Sequence, residues 1–167
     1  MKYPWQRVGV FVDIQNLYYS AKNLHQSYVN FKNLLKTALG ERQLIRAIAY
    51  GIRADLPKQE GFFKALEEAG FEVRLKDLQT FPGGMQKGNW DLGMAVDMLK
   101  LAPKLDVVIL VSGDGDFADL LEYLKNHGIW TEVIAFGQSA SSKLKEKADA
   151  FLDIDTNPGP FLLKKIK

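Results

Sequence analysis

Two uninterrupted apolar runs, each closed by acidic residues, constrain this chain more than anything else in its sequence. Residues 107–111 read VVILV and run into SGDGDF, and residues 8–12 read VGVFV and end at Asp13. A strand with one wet face alternates apolar and polar residues, whereas a strand covered on both faces is apolar throughout. Both runs therefore read as central strands of a parallel sheet. Further strands are expected at 44–50 (LIRAIAY), 71–75 (FEVRL, with Phe71, Val73 and Leu75 on one face), 131–136 (TEVIAF) and 150–154 (AFLDI). Helical spacing lies between them. Phe31, Leu34, Leu35, Ala38 and Leu39 mark one helix. Asp55 and Pro57 open a second, striped by Phe62, Leu66 and Ala69 and closed by Gly70. Leu92, Ala95, Val96 and Leu99 mark a third, and Phe117, Leu120, Leu121 and Leu124 a fourth that stops at Gly128. A short basic helix, about 141–148, follows the turn SASS. Strands alternating with helices predict an α/β fold, a three-layer α/β/α stack around a mostly parallel central sheet.

Composition narrows the function classes. The 167 residues suit one domain, expected over 1–156, with NPGPFLLKKIK at 157–167 as a basic C-terminal tail that either leaves the core or folds back over it. Hydrophobic residues make up 47% and charged residues 25%, a globular balance that excludes a disordered chain. No apolar run reaches the roughly 18 residues of a membrane helix, so no membrane association is expected. The N-terminal MKYPWQRVGVFVD has too short an apolar run for a signal peptide and reads as a first strand in a cytoplasmic protein. The absence of cysteine excludes disulfides, thiolate zinc sites and a cysteine nucleophile. Only two histidines, His25 and His127, are present, which argues against a histidine-rich metal site. A net charge of +2 makes no case for nucleic acid by itself.

The chemistry lies in the carboxylates. Asp13 ends the first strand and precedes Asn16; Asp91 and Asp97 lie in GNWDLGMAVDMLK; Asp114 and Asp116 follow the most apolar strand. Ligands of open parallel sheets bind beyond the carboxyl ends of the strands, where strand order reverses. If the strands ending at Asp13 and before Asp114 are neighbours, their carboxylates share one crevice. There they raise one another's pKa unless a cation intervenes. Oxygen-only ligands favour Mg²⁺ or Mn²⁺ over zinc, and such ions assist phosphodiester hydrolysis. Each acid also has a plainer reading. Asp116, Asn16 and Asp91 are each placed to cap a helix. Asp97 falls about 240° around the helix from Asp91, so the two do not share a face. Ser112 either turns the chain or orients a neighbouring carboxylate. Of the aromatic pair Tyr18 and Tyr19, able to stack on bases, one is expected in the core. Lys143, Lys145 and Lys147 read as a solvated face or, with Lys87 in the long connection 78–89, as contacts to a phosphate backbone. PGG at 82–84 lacks the pattern of a phosphate-binding loop. A phosphatase of the haloacid dehalogenase type needs a second Asp two residues after the first, where Gln15 stands here. A response-regulator receiver needs paired acids at the end of strand one, which are missing.

FVDIQNLY, KGNWDLGMAVDML and VILVSGDGDFADLLEYLKNHG, in that order, resemble the NYN domain family in its LabA-like branch, over roughly residues 6–155. The resemblance implies a PIN-like fold related to metal-dependent ribonucleases. It also implies an Mg²⁺ or Mn²⁺ site formed by Asp13, Asp91 and Asp114, with Asp116 a further candidate ligand. Asn16 and Ser112 match supporting positions, and Asp97 matches another family acid. One departure is visible: the family has one residue between Lys-Gly and this Asp, whereas Asn89 and Trp90 both stand between Gly88 and Asp91. The function expected is a metal-dependent endoribonuclease acting on single-stranded RNA; a homodimer is allowed. The alternative is a non-catalytic RNA-binding or regulatory module that keeps the acidic pocket.

Overall fold

The computed structural model describes residues 2–54, 59–84, 86–87 and 89–165. Strand β1 (Arg7–Asp13) leads into helix α1 (Ile14–His25), short strand β2 (Ser27–Val29) and α2 (Phe31–Leu39). Then come β3 (Gln43–Arg53), α3 (Gln59–Glu68) and β4 (Glu72–Asp77), followed by the small hairpin of β5 (Gln79–Thr80) and β6 (Gln86–Lys87). Helix α4 (Asp91–Leu101), β7 (Val107–Val111), α5 (Ala118–Asn126), β8 (Trp130–Ala135), α6 (Ser142–Lys147), β9 (Ala150–Asp153) and β10 (Leu162–Lys165) complete the chain.

Six strands form one sheet in the order β4-β3-β1-β7-β8-β9, every pair parallel. The chain begins at the centre, steps outward to β4, then returns to lay β7 against β1 with Val8 opposite Val107 and Val12 opposite Val111. The two apolar runs are thus neighbours, and the order reverses between them. Strand alternation divides the core. Val8, Val10 and Val12 face Leu17 of α1, Leu34 of α2 and Phe63 of α3. Phe11, Ile48 and Tyr50 face Met94 of α4, Leu121 of α5 and Leu144 of α6. Both faces are covered, which accounts for the lack of polar residues from Val8 to Val12 of β1 and throughout β7.

Several expectations are corrected. The third helix does not bury Leu92, Val96 and Leu99; Leu92 is 78% exposed, and Met94, Asp97 and Met98 face inward. Two methionines at i and i+4 define the buried stripe, and the acid between them is accepted because it is paired. In α3, Phe63 is buried with Leu66, while Phe62 is half-buried; Asp55 and Pro57 lie outside the described residues. The connection 78–89 contains a hairpin, with Gln79 opposite Lys87 and Thr80 opposite Gln86. Neither Tyr18 nor Tyr19 is core: both are exposed on α1. The C-terminal segment folds back, burying Phe161 and pairing β10 antiparallel with β2.

Candidate metal centre

The acids at the reversal of strand order are fixed by the same bonds that start the neighbouring helices. Asp13, the last residue of β1, accepts the Asn16 N–H at 3.2 Å and so caps α1 itself. Asn16, expected as a cap, instead sits in the first turn, where its Oδ1 accepts the Gly113 N–H at 2.9 Å. Beyond β7, the hydroxyl of fully buried Ser112 donates to the other Asp13 oxygen at 3.2 Å and accepts the Asp114 N–H at 3.2 Å. Asp114 caps the turn that precedes α5 by accepting the Asp116 N–H at 2.9 Å, so that capping role belongs to Asp114 rather than Asp116. The loop is pressed against the turn before α6: Ser141 N–H donates to Gly113 O at 3.0 Å. A Cβ on Gly115 would lie 2.5 Å from Ser141 Oγ, so only glycine fits there without displacement. Asp91 is the first residue of α4, and its N–H donates to Asn89 Oδ1 at 3.3 Å.

Asp13, Asp91 and Asp114 each bring one carboxylate oxygen within 4.8 Å of the others. Burial raises the Asp13 carboxyl above its usual range, against the bonds from Asn16 and Ser112, and the Asp114 charge adds to the rise. Asp91 is pushed up to about 7, first by burial, then by hydrogen bonding and charge from Asp114, with Asp13 and Asp116 contributing. Ionising Asp91 beside the other carboxylates is costly unless a cation compensates. An all-oxygen donor set with half-buried, rigidly held ligands fits a hard divalent ion such as Mg²⁺ or Mn²⁺.

The remaining candidates separate clearly. Asp116 is exposed and outside the group of three. Asp97, at 9% exposure, accepts the Tyr50 hydroxyl at 2.8 Å and Arg74 Nη1 at 2.8 Å. Burial, and then the bond to Asp97, raise the Tyr50 phenol far above its usual range, so it stays a neutral donor. Lys143 is exposed on α6, Lys145 Nζ donates to Gly137 O at 2.7 Å, and Lys147 pairs with Glu122 at 2.9 Å. Lys87 lies in β6. His25 pairs with Asp155, and His127 Nδ1 meets Tyr123 O at its helix end.

A cleft of ≈ 400 Å³ opens beside the three acids, walled by α1, the end of β3 and the start of α4. Trp90, Tyr50 and Tyr19 line it, and among the described residues lining it there is no lysine or arginine. The motif reading passed over Trp90 and Tyr50. The signals for them were the second residue between Gly88 and Asp91, and an aromatic residue closing the LIRAIAY run.

Comparison with known proteins agrees with this geometry. The NYN domain family model matches residues 7–155. The low amplitude and bright protein LabA of Synechococcus elongatus is 26% identical over 163 residues, covering 93% of this chain and 87% of that protein. The crystal structure of a Vibrio parahaemolyticus protein of unknown function superposes with a TM-score of 0.88 at 35% identity, covering 98% of this chain and 99% of that one. The chain therefore belongs to the NYN domain family, in its LabA-like branch.

Proposed function

We propose that this protein is a Mg²⁺- or Mn²⁺-dependent endoribonuclease that hydrolyses phosphodiester bonds of single-stranded RNA at Asp13, Asp91 and Asp114. The observation that supports this reading best is the convergence of these three carboxylates within 4.8 Å at the reversal of strand order. A divalent ion held there supplies charge neutralisation at a phosphoryl oxygen and lowers the pKa of a water molecule. The chain's own part is to hold the ligands ready. Ser112 and the Asn16 N–H fix the two oxygens of Asp13, and the Asp116 N–H fixes one oxygen of Asp114. Asn16 ties α1 to the loop that carries Asp114, so the two strand-end acids keep their spacing. Asp91 enters from a third element, and burial with the Asp114 carboxylate beside it pushes its carboxyl up to about 7. Asp116 adds negative charge beside the ligands. Asp97 supports the site indirectly, through Tyr50.

Lys87, Lys143, Lys145 and Lys147 are read as contacts to the phosphate backbone of the RNA. The exposed Lys147–Glu122 pair costs little to exchange for a phosphate contact. We take 1–156 as the nuclease unit, place its activity in the cytoplasm and treat 157–167 as a basic C-terminal tail. The test is incubation of labelled single-stranded RNA with Mn²⁺ and either wild-type protein or Asp114→Asn. Cleavage by wild type alone supports the reading. Equal cleavage by both proteins would sink it. RNA binding without cleavage by either would leave the non-catalytic RNA-binding module.

A further inference from the structure

Away from the acid cluster, the described walls of the cleft offer a phosphate no positive charge and offer a base aromatic surface. Three carboxylates face it, and no cationic side chain is found among its described lining residues. The described side chains that line it offer a polyanion no positive charge. What the walls offer is aromatic surface and amides: Trp90 and Tyr19, with Asn16, Asn23 and Gln15 around them.

Trp90 is held as a platform is held. Its Nε1–H donates to Gly51 O at 2.8 Å, which fixes the indole to the end of β3. The Tyr50 ring meets it edge-on, with centroids 5.3 Å apart and planes at 60°. Tyr50 is itself locked by Asp97, and Asp97 by Arg74, so a continuous pillar runs from the charged pair to the indole. The Lys76 ammonium lies 4.3 Å from the centre of the ring, on the β4 side. On α4, Gly93 leaves room for the ring: a Cβ there would lie 2.6 Å from Trp90 Cε3. A side chain restrained by a hydrogen bond, a ring contact, a cation and a close glycine loses little entropy when a flat ligand stacks on it. Trp90 immediately precedes Asp91, so whatever stacks here is adjacent to the acids. Tyr19, 52% exposed, lines the same cleft from α1.

We propose that Trp90 and Tyr19 form a subsite for one unpaired nucleobase of a single-stranded polynucleotide, next to the phosphodiester at the acid cluster, an assignment that rests on the nuclease reading of the same cleft. In a duplex the base faces are stacked and unavailable, and base–aromatic stacking is tolerant of sequence because every base has a π-face. The amides of Asn23 and Gln15, with which no hydrogen bond is formed among the described residues, are placed to meet the edge of the stacked base. The subsite selects for single strands, and Asp97 and Tyr50 serve it as positioning residues.

The test measures binding of the full-length protein to short single-stranded RNAs in which one abasic position is moved along the strand. Binding is read by fluorescence anisotropy in Ca²⁺, and cleavage is read separately in Mn²⁺. One abasic position should weaken wild-type binding roughly tenfold, the size expected for loss of one stacked base. Trp90→Leu and Tyr19→Leu should each bind intact RNA more weakly and lose most of that positional penalty, while Trp90→Phe should keep it. Because Tyr19 is exposed, its variant holds the test open if Trp90→Leu fails to fold, and the wild-type abasic scan requires no variant. Binding that is indifferent to every abasic position, a penalty unchanged in Tyr19→Leu, or no RNA binding at all would overturn the subsite. Cleavage without a positional penalty removes the subsite and leaves the nuclease reading intact. A positional penalty without cleavage supports the subsite and removes the nuclease reading.

Discussion

The two ends of the central sheet treat charge in opposite ways. Near the amino ends of the strands, the buried charges Arg42 and Glu132 are paired with each other. Arg42 donates to both oxygens of Glu132, at 2.7 and 3.0 Å, and to Ala38 O, while Trp130 Nε1 donates to Glu132 as well. Arg7 and Asp106 join the start of β1 to the start of β7. At the carboxyl ends of the same two central strands, three carboxylates converge, and among the described residues lining the cleft no cationic side chain joins them. The first arrangement serves stability. The second costs stability, since burial and the neighbouring acids raise Asp13 and Asp91. Helix α4 repeats the contrast within six residues: Asp97 is paired and structural, and Asp91 faces other acids.

The contrast breaks most visibly on substitution. Asp114→Asn should cut Mn²⁺-dependent RNA cleavage by about a hundredfold or more, because one of three ligands is lost. Its metal-free melting temperature should stay level or rise, since the change relieves repulsion. Arg42→Ala should do the reverse. It strands a buried carboxylate and should cost about 3–5 kcal/mol in urea unfolding, with the activity of the folded fraction unchanged. Asp97→Asn should fall between them, at about 1 kcal/mol, because Tyr50 keeps an acceptor while Arg74 loses its ion pair.

The pH dependence sharpens the same comparison. The folded protein holds a proton on Asp91 up to about 7, whereas the ordinary value is 3.8. Between those values the folded state binds more protons than the unfolded state, so stability falls as pH rises through this window. Asp13, also raised, acts in the same direction. Asp106, lowered by Arg7, contributes stability that is lost only as pH falls below about the usual carboxylate range. Metal-free protein should therefore melt higher at pH 5 than at pH 7.5, the difference should shrink in Asp114→Asn, and Mn²⁺ should restore stability at pH 7.5. Smallest of all, Lys147→Ala removes an exposed pair with Glu122 and should leave the melting temperature unchanged.

Legibility in the sequence followed the range of the interaction. β1 and β7 could be read because burial on both faces leaves a continuous apolar string, and their acids because a strand end is a local feature. That the two strands are neighbours was only a condition, since adjacency depends on the whole crossover path. The inward face of α4 was misread because Leu92, Val96 and Leu99 outweigh Met94 and Met98 on hydrophobicity. The acid that fits the buried side depends on Tyr50 and Arg74, 47 and 23 residues away. Trp90 was visible as an extra residue ahead of Asp91, but its fixation by Gly51, Tyr50 and Gly93 exists only after folding. The helix caps show the same limit: Asn16 and Asp116 occupy plausible capping positions, yet Asp13 and Asp114 take those bonds while serving the cluster.

The most direct measurement is Mn²⁺ binding followed by electron paramagnetic resonance, with wild-type protein beside Asp13→Asn, Asp91→Asn, Asp114→Asn and Asp97→Asn. If the three acids form the metal centre, wild type and Asp97→Asn bind the ion alike and each of the other three variants binds it much more weakly. Wild type that takes up no Mn²⁺, or the three variants binding as tightly as wild type, would contradict the account.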